Sequence, residues 1–306
     1  MQIATSLFYD RAASTMASLT GKADALQTQI ASTKRFSAPS QDSVAFQRLA
    51  GLARDTADDK AYAANLGTAT SVLKQGDTSL SAITDQLQTA TTLVTQARNG
   101  TLNAANRKAI GDQLAGIVAT LVSLANGKDA RGQAVFGGGD GTAAVATDGS
   151  YALASKPVSG IPIGDGQSVQ ASETAARIFT VGGTTAPDGS IQGGTNTLAM
   201  LAAIASALQS DTFTPSALDT SLGDISAASD QVSTVQASLG ARAARVDLET
   251  ARLKDTGVDR EATRSALEDT DIPTAVVELQ KTMTILSATQ ASFSKLSALS
   301  LFDYLR

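Results

Sequence analysis

Each end of this 306-residue chain carries an apolar stripe at helical spacing, and neither stripe can be covered by its own helix. Near the N-terminus Phe8, Ala12, Met16, Leu19, Ala23, Leu26 and Ile30 follow one another at steps of four and three. Near the C-terminus Ile272, Val276, Leu279, Met283, Leu286, Gln290 and Phe293 do the same. Such spacing draws a single seam along a helix and calls for a partner helix. Leu299, Leu301, Phe302, Tyr304 and Leu305 then crowd large side chains into the last eight residues, behind a stretch rich in Ala, Ser and Thr. A bulky apolar tip on such a helix needs a cover, so these residues are read with the two seams as an assembly interface.

The core available to the rest of the chain is set by what it lacks. Aromatics make up 4% of the residues and Trp is absent, so the interior must be built from Leu, Val and Ala, which suits closely approaching helices. Cys and His are both absent, which removes thiol nucleophiles, Ser–His pairs, disulfides and the usual zinc sites. A net charge of −5 offers nothing to phosphate backbones or anionic lipid, so no nucleic-acid partner is expected. No apolar run is read as approaching the ~20 residues that span a bilayer, so no membrane insertion is expected. The opening MQIATSLFYDRAAST has no basic stretch leading into an apolar one, so export, if it occurs, is expected without a cleaved signal peptide.

Residues 3–33 read as the first helix. Pro39 interrupts it by biasing Ala38 away from helical angles, and Ser40 or Asp42 is placed to cap the next. That helix spans about 42–98, with Ala45, Leu49, Leu52, Ala63, Leu66, Leu73, Leu80, Leu87 and Val94 on its seam. Asn99-Gly100 stops it, Thr101 or Asn103 opens a third helix through Ile110, Leu114, Ile117, Leu121 and Leu124, and Asn126-Gly127 ends that one. From about 131 to 195 the run Gly137-Gly138-Gly139 and several Asp-Gly steps punctuate short runs, read as strands at Ser150–Ala154, Ser168–Ser172 and Ile178–Val181. Helix returns at Leu198–Leu208 and again after Pro215, with Leu218, Leu222, Ile225, Val232, Leu239, Ala243, Val246 and Leu253 on its seam and Gly257 as its expected break. The predicted class is mainly α: an elongated antiparallel bundle or coiled coil built from both chain ends, with a small central β-rich domain. Terminal helices at 1–35 and 270–306 form the assembly part, 36–130 and 196–269 the long-helix bundle, and 131–195 the outer insertion.

Three stretches carry a family resemblance. QIASTKRFSAPSQDSVAF (29–46) and QARNGTLNAANRKAI (96–110) resemble the signatures that follow the first helix and close the second in the flagellin family, although the family's Gly after Ser-Thr is missing at Lys34. The run from Leu267-Glu268-Asp269-Thr270-Asp271 to LSALSLFDYLR resembles the hook-associated members that form the hook–filament junction. Filament flagellins usually end in a plain Leu-Leu and carry Arg-Glu where Thr91 and Thr92 stand here. The resemblance implies a structural, non-enzymatic subunit of the extracellular flagellum, without cofactor. It implies type III export aided by a cytoplasmic chaperone, assembly with copies of itself as a ring, and contact with a neighbouring hook-associated protein and with flagellin. A minor filament flagellin, or a surface adhesin binding glycan through the β-rich part, stands as the alternative.

The remaining motifs have plainer readings. Gly137-Gly138-Gly139-Asp140-Gly141 lacks the Lys-Ser/Thr of a phosphate loop and reads as a flexible join. The Asp-Gly pairs lack the spacing of a calcium loop and read as turns. Glu268, Asp269 and Asp271 read as capping and helix-dipole residues, and Arg242, Arg245 and Arg252 as a solvated face with local ion pairs.

Overall fold

A computed structural model of the protein describes residues 2–99, 102–210 and 213–304; the side chains of residues 2–6, 8, 215, 217 and 296–304 lie outside that description. The helices are α1 (Gln2–Ser32), α2 (Ser43–Ala97), α3 (Ala104–Ala125), α4 (Ala175–Phe179), α5 (Thr197–Gln209), α6 (Ser221–Glu268) and α7 (Ile272–Tyr304). Six short strands lie between α3 and α5: β1 (Ile161–Gly164), β2 (Gln167–Val169), β3 (Thr180–Val181), β4 (Thr184–Thr185), β5 (Ile191–Gln192) and β6 (Thr195–Asn196). The protein is mainly α with a small β-bearing insertion. It divides into two compact units, Met1–Asp58 with Asp255–Arg306, and Asp59–Lys254.

In the second unit the core is a heptad seam on each long helix. Along α2, Leu66, Leu73, Leu80, Leu87 and Val94 alternate with Ala69, Gly76, Ile83, Ala90 and Ala97, of which all but Ile83 are small, and all are buried. Along α6, Leu218, just before it, leads into Ile225, Val232, Leu239 and Val246, interleaved with Ala228 and Val235, all buried. The alternation of larger with smaller residues lets the helices pack closely, and two phenylalanines, Phe136 and Phe179, are fully buried in the same core. Ala63 does not join the seam and is exposed. Many threonines would weaken α2 as free hydroxyls. Instead they bond back to the carbonyl four residues earlier, as Thr84 does to Leu80 at 3.0 Å, Thr91 to Leu87 at 2.9 Å and Thr92 to Gln88 at 3.1 Å.

Asn103 caps α3 by accepting from Asn106 N–H at 2.7 Å. Ile110, Leu114, Ile117, Val118 and Leu121 face the core. By length and composition α3 is apolar enough to cross a membrane, because Arg107, Lys108 and Asp112 all fall near its start; in this fold it is a packed helix of the core. Gly111 lets it approach α5, since a Cβ there would sit 2.9 Å from the Ala205 carbonyl oxygen. At the far end Asn126 acts as a strand stand-in. Its Nδ2 donates to Val145 O and its Oδ1 accepts from Val145 N–H, both at 3.0 Å.

The insertion departs from the expected strands. Residues 150–154 contribute only an isolated bridge between Val145 and Leu153, and Ile178 and Phe179 belong to helix α4. The strands form three separate antiparallel pairs, β1 with β2, β3 with β6 and β4 with β5. The last two pairs are nested, and Gly182, Gly183, Gly193 and Gly194 break the ladder between them. The Asp-Gly turns are real. Asp140, Asp148 and Asp188 each accept from the backbone N–H and the hydroxyl of the residue two further on, Thr142, Ser150 and Ser190. The bond from each hydroxyl, first among the causes, holds the three carboxyls below their ordinary range.

Two expectations for α6 need correction. Gly257 does not break it; the helix runs unbroken to Glu268. A single mid-helix glycine costs about 1 kcal/mol, too little to stop so long a helix without a proline. Arg242 is not on a solvated face. It pairs with the buried carboxylate of Glu173, donates to Gln170 O at 3.0 Å, and so ties α6 to the segment before α4. Arg177 approaches the same carboxylate at 3.6 Å. A buried Glu flanked by two guanidiniums is the arrangement that burial of a charge demands.

Candidate assembly interface

In the first unit the two terminal helices are paired with each other. On α1 the inward row is Tyr9, Ala12, Met16, Leu19, Ala23, Leu26 and Ile30, with Leu26 buried and the rest half-buried. The Phe8 side chain lies outside the described residues. On α7 the inward row is Ile272, Ala275, Val276, Leu279, Thr282, Leu286, Thr289 and Phe293. Met283 is not on that row: it is 56% exposed, whereas Thr282 is 3% exposed. The heptad 279, 286, 293 takes its second member three residues on, at 282 and 289, rather than four. Leu299, Leu301, Phe302 and Tyr304 fall within α7 with side chains outside the described residues, and Leu305 lies outside them altogether.

Specific contacts fix how the two helices meet. Tyr9 and Phe293 pack edge to face, with ring centroids 5.4 Å apart and planes at 89°. Lys22 Nζ donates to Glu278 Oε1 at 2.7 Å and holds that carboxyl below its usual range. Both partners are about half exposed, so the pair marks a register more than it stabilises.

A clasp joins the start of the turn after α1 to the turn before α7. Thr33 takes a left-handed φ of 58°, immediately before Lys34. Its carbonyl accepts from Thr270 N–H at 2.9 Å, and Arg35 N–H donates to Glu268 O at 2.7 Å, making a short antiparallel bridge. Gln29 Nε2 donates to Arg35 O at 2.8 Å. The Glu268 carboxylate pairs with Lys34 and accepts from Arg264 at 2.6 Å. Lys34, the larger cause, and Arg264 hold the Glu268 carboxyl below its ordinary range against the opposing effect of burial, and Arg264 is raised in turn by Glu261 and Glu268. Asp42 then caps α2 through Ala45 N–H at 2.9 Å, and Asp271 opens α7, accepting from Thr274 Oγ1 at 2.8 Å.

Of the acidic trio, Asp271 is the cap; Glu268 ends α6 and belongs to the clasp, and Asp269 accepts from Ser265. Sequence reasoning misses Tyr9, the Lys22–Glu278 pair and the clasp. It also misses an outward apolar set, Leu7 at 54%, Val277 at 65% and Ile285 at 44% exposed. Val277 and Ile285, eight residues apart, share an outer face of α7, a second row that the dominant seam conceals. Among the described residues no group of three or more Asp or Glu is arranged to hold a metal ion.

The arrangement is one of paired helices, apolar rows and a polar clasp. The bacterial flagellin N-terminal helical region matches residues 3–140, and the bacterial flagellin C-terminal helical region matches residues 222–305. The chain is 26% identical over 316 residues to flagellar hook-associated protein 3 of Salmonella typhimurium, covering 99% of each. It is likewise 26% identical over 299 residues to the protein of that name in Escherichia coli, covering 90% of each. Its fold is similar to that of Xanthomonas campestris FlgL, at 19% identity and a TM-score of 0.60 over 70% of this chain and 99% of that one. It is similar also to the flagellar junction protein FlgL from Legionella pneumophila, at 15% identity and a TM-score of 0.55 over 66% of this chain and 99% of that one. With both helical regions matched, one at each end of the chain, the protein belongs to the bacterial flagellin family.

Proposed function

We propose that the chain is the structural subunit that joins the hook side of a bacterial flagellum to its flagellin filament. The observation that carries this reading is the likeness to hook-associated protein 3 over 99% of both chains. In this reading 1–35 and 270–306 form the assembly part, 36–130 and 196–269 the supporting bundle, and 131–195 the outer insertion. Copies of the chain form a ring, with the neighbouring hook-associated protein on one side and flagellin on the other. The subunit leaves the cell through the flagellar type III route, without a cleaved signal peptide and escorted by a cytoplasmic chaperone. The role is non-enzymatic, in keeping with the absence of Cys and His and with the flagellar names of its relatives.

Immunogold labelling of intact flagella with antibody against the insertion tests this. Label confined to the hook–filament junction is expected. Label along the whole filament would assign the chain to the filament instead. A deletion strain should release flagellin into the medium and fail to swim, with rescue by the full chain but not by one lacking residues 272–306. Normal filaments and swimming in the deletion strain would overturn the reading.

A further inference from the structure

Asn126-Gly127 joins α3 to the insertion, and it is the sequence in which an asparagine amide is most readily lost, because glycine leaves the following backbone nitrogen free to attack. In that reaction Gly127 N bonds to Asn126 Cγ, the Cγ–Nδ2 bond breaks, and ammonia departs with the proton from Gly127 N–H. Water then opens the resulting imide at one of its two carbonyls, giving aspartate or its isomer with an extra methylene in the main chain.

In the folded protein both reacting groups are engaged. Asn126 sits at φ −83°, ψ 6°, and ring closure requires ψ to leave that value. Its Oδ1 and Nδ2 are both bonded to the Val145 backbone at 3.0 Å. Gly127 N–H donates to Leu124 O, and Gly127 O accepts from Val135 N–H at 2.9 Å. Ring closure would break the side-chain pair and the Gly127 N–H bond in one step, beside Val145 and Ala144, which are buried core residues.

We propose that Asn126 is a fold-protected deamidation site, intact in the folded subunit and lost in a chain held unfolded. The product would not simply refold. An aspartate carboxylate in place of the amide loses the Nδ2 donor and sets negative charge against the Val145 carbonyl. The isomer also lengthens the main chain where Gly127 O meets Val135 N–H. Time spent unfolded would therefore leave a chemical mark at the join between the bundle and the insertion.

The experiment incubates the full chain in mildly alkaline buffer, with and without urea. The tryptic peptide from Ala109 to Lys128, whose sole asparagine is Asn126, is then followed by mass spectrometry. Conversion at least about tenfold slower in the folded arm is expected, as for any step that needs local opening. Equal rates in the two arms would overturn the proposal. Gly127→Ala should slow conversion in the urea arm, and an unchanged rate there would also overturn it. Asn126→Asp should lower the denaturation midpoint of the purified chain, and an unaltered midpoint would refute the claimed damage.

Discussion

A Cβ placed on Gly76 would lie 2.9 Å from Leu239 Cδ2, so the two long helices approach closely where α2 has no side chain and α6 has a leucine. At Gly111 the obstacle is instead the Ala205 carbonyl oxygen, also at 2.9 Å. A leucine methyl can swing aside and a helix backbone cannot. Gly76→Ala is therefore expected to change stability by less than about 1 kcal/mol, the clash being offset by better helix propensity. Gly111→Ala should destabilise by about 1–3 kcal/mol. Urea denaturation of both variants checks this, and the reverse order would show that the α3–α5 approach is looser than described.

Leu80 is fully buried at the centre of the α2 seam. Leu80→Ala should cost about 2–5 kcal/mol, the range for a truncated core leucine that leaves a cavity. A shift below about half a kcal/mol in chemical denaturation would mean that the seam faces solvent.

Thr197 is 1% exposed at the first turn of α5, and its hydroxyl has no hydrogen-bond partner among the described residues. Thr197→Val keeps the shape and removes the unsatisfied group, so it should stabilise by about 1 kcal/mol. Thermal melting reads the sign, and a destabilised variant would reveal a partner for the hydroxyl.

The clasp makes stability depend on acidity. Glu268 has its pKa lowered in the folded chain by Lys34 and then Arg264. A lowered carboxyl contributes fully above its unfolded pKa of about 4.3, and its contribution is lost as pH falls through the lower folded value. Glu268→Gln should therefore weaken α1–α7 pairing near neutral pH, and the gap from the parent should close as the solution is acidified below that range. Circular dichroism melts across this interval test it, and a gap that widens on acidification would contradict the assignment.

Thr33 holds a left-handed φ of 58°, a conformation that costs a β-branched residue about 1–2 kcal/mol. Thr33→Gly relieves this at some cost in unfolded-state entropy, so a net gain of up to about 1 kcal/mol is expected. Chemical denaturation measures it, and loss of stability would mean that the threonine side chain itself supports the turn.

Much of the fold is legible in the residues because caps and heptads are local. The cap of α2 narrows in sequence to Ser40 or Asp42 and that of α3 to Thr101 or Asn103; the structure uses Asp42 and Asn103, and the α2 heptad from Leu66 to Val94 marks its own buried face. The misses share a cause: tertiary packing decides between locally equivalent choices. Met283 looks the better seam residue, but the heptad and the partner helix select Thr282. Two-residue strands such as β3 and β4 are too short for periodicity to announce, although their bounding Gly pairs are visible. Arg242 reads as solvated along its helix, because Glu173 lies 69 residues away in sequence. The outer row of α7 is obscured by the stronger inner one, and the clasp needs both ends of the chain at once.

The edge-to-face pair of Tyr9 and Phe293 has an optical consequence. With no Trp and only four Tyr, the chain is almost dark at the wavelengths used to follow proteins, and a single phenol can be isolated by three substitutions. Among the tyrosines with described side chains, Tyr9 is the one packed between the two terminal helices, so its surroundings change when the termini part company. Its emission, isolated by replacing Tyr62, Tyr151 and Tyr304 with Phe, would report the pairing of the chain's ends without an added label, in a background that contributes no indole signal.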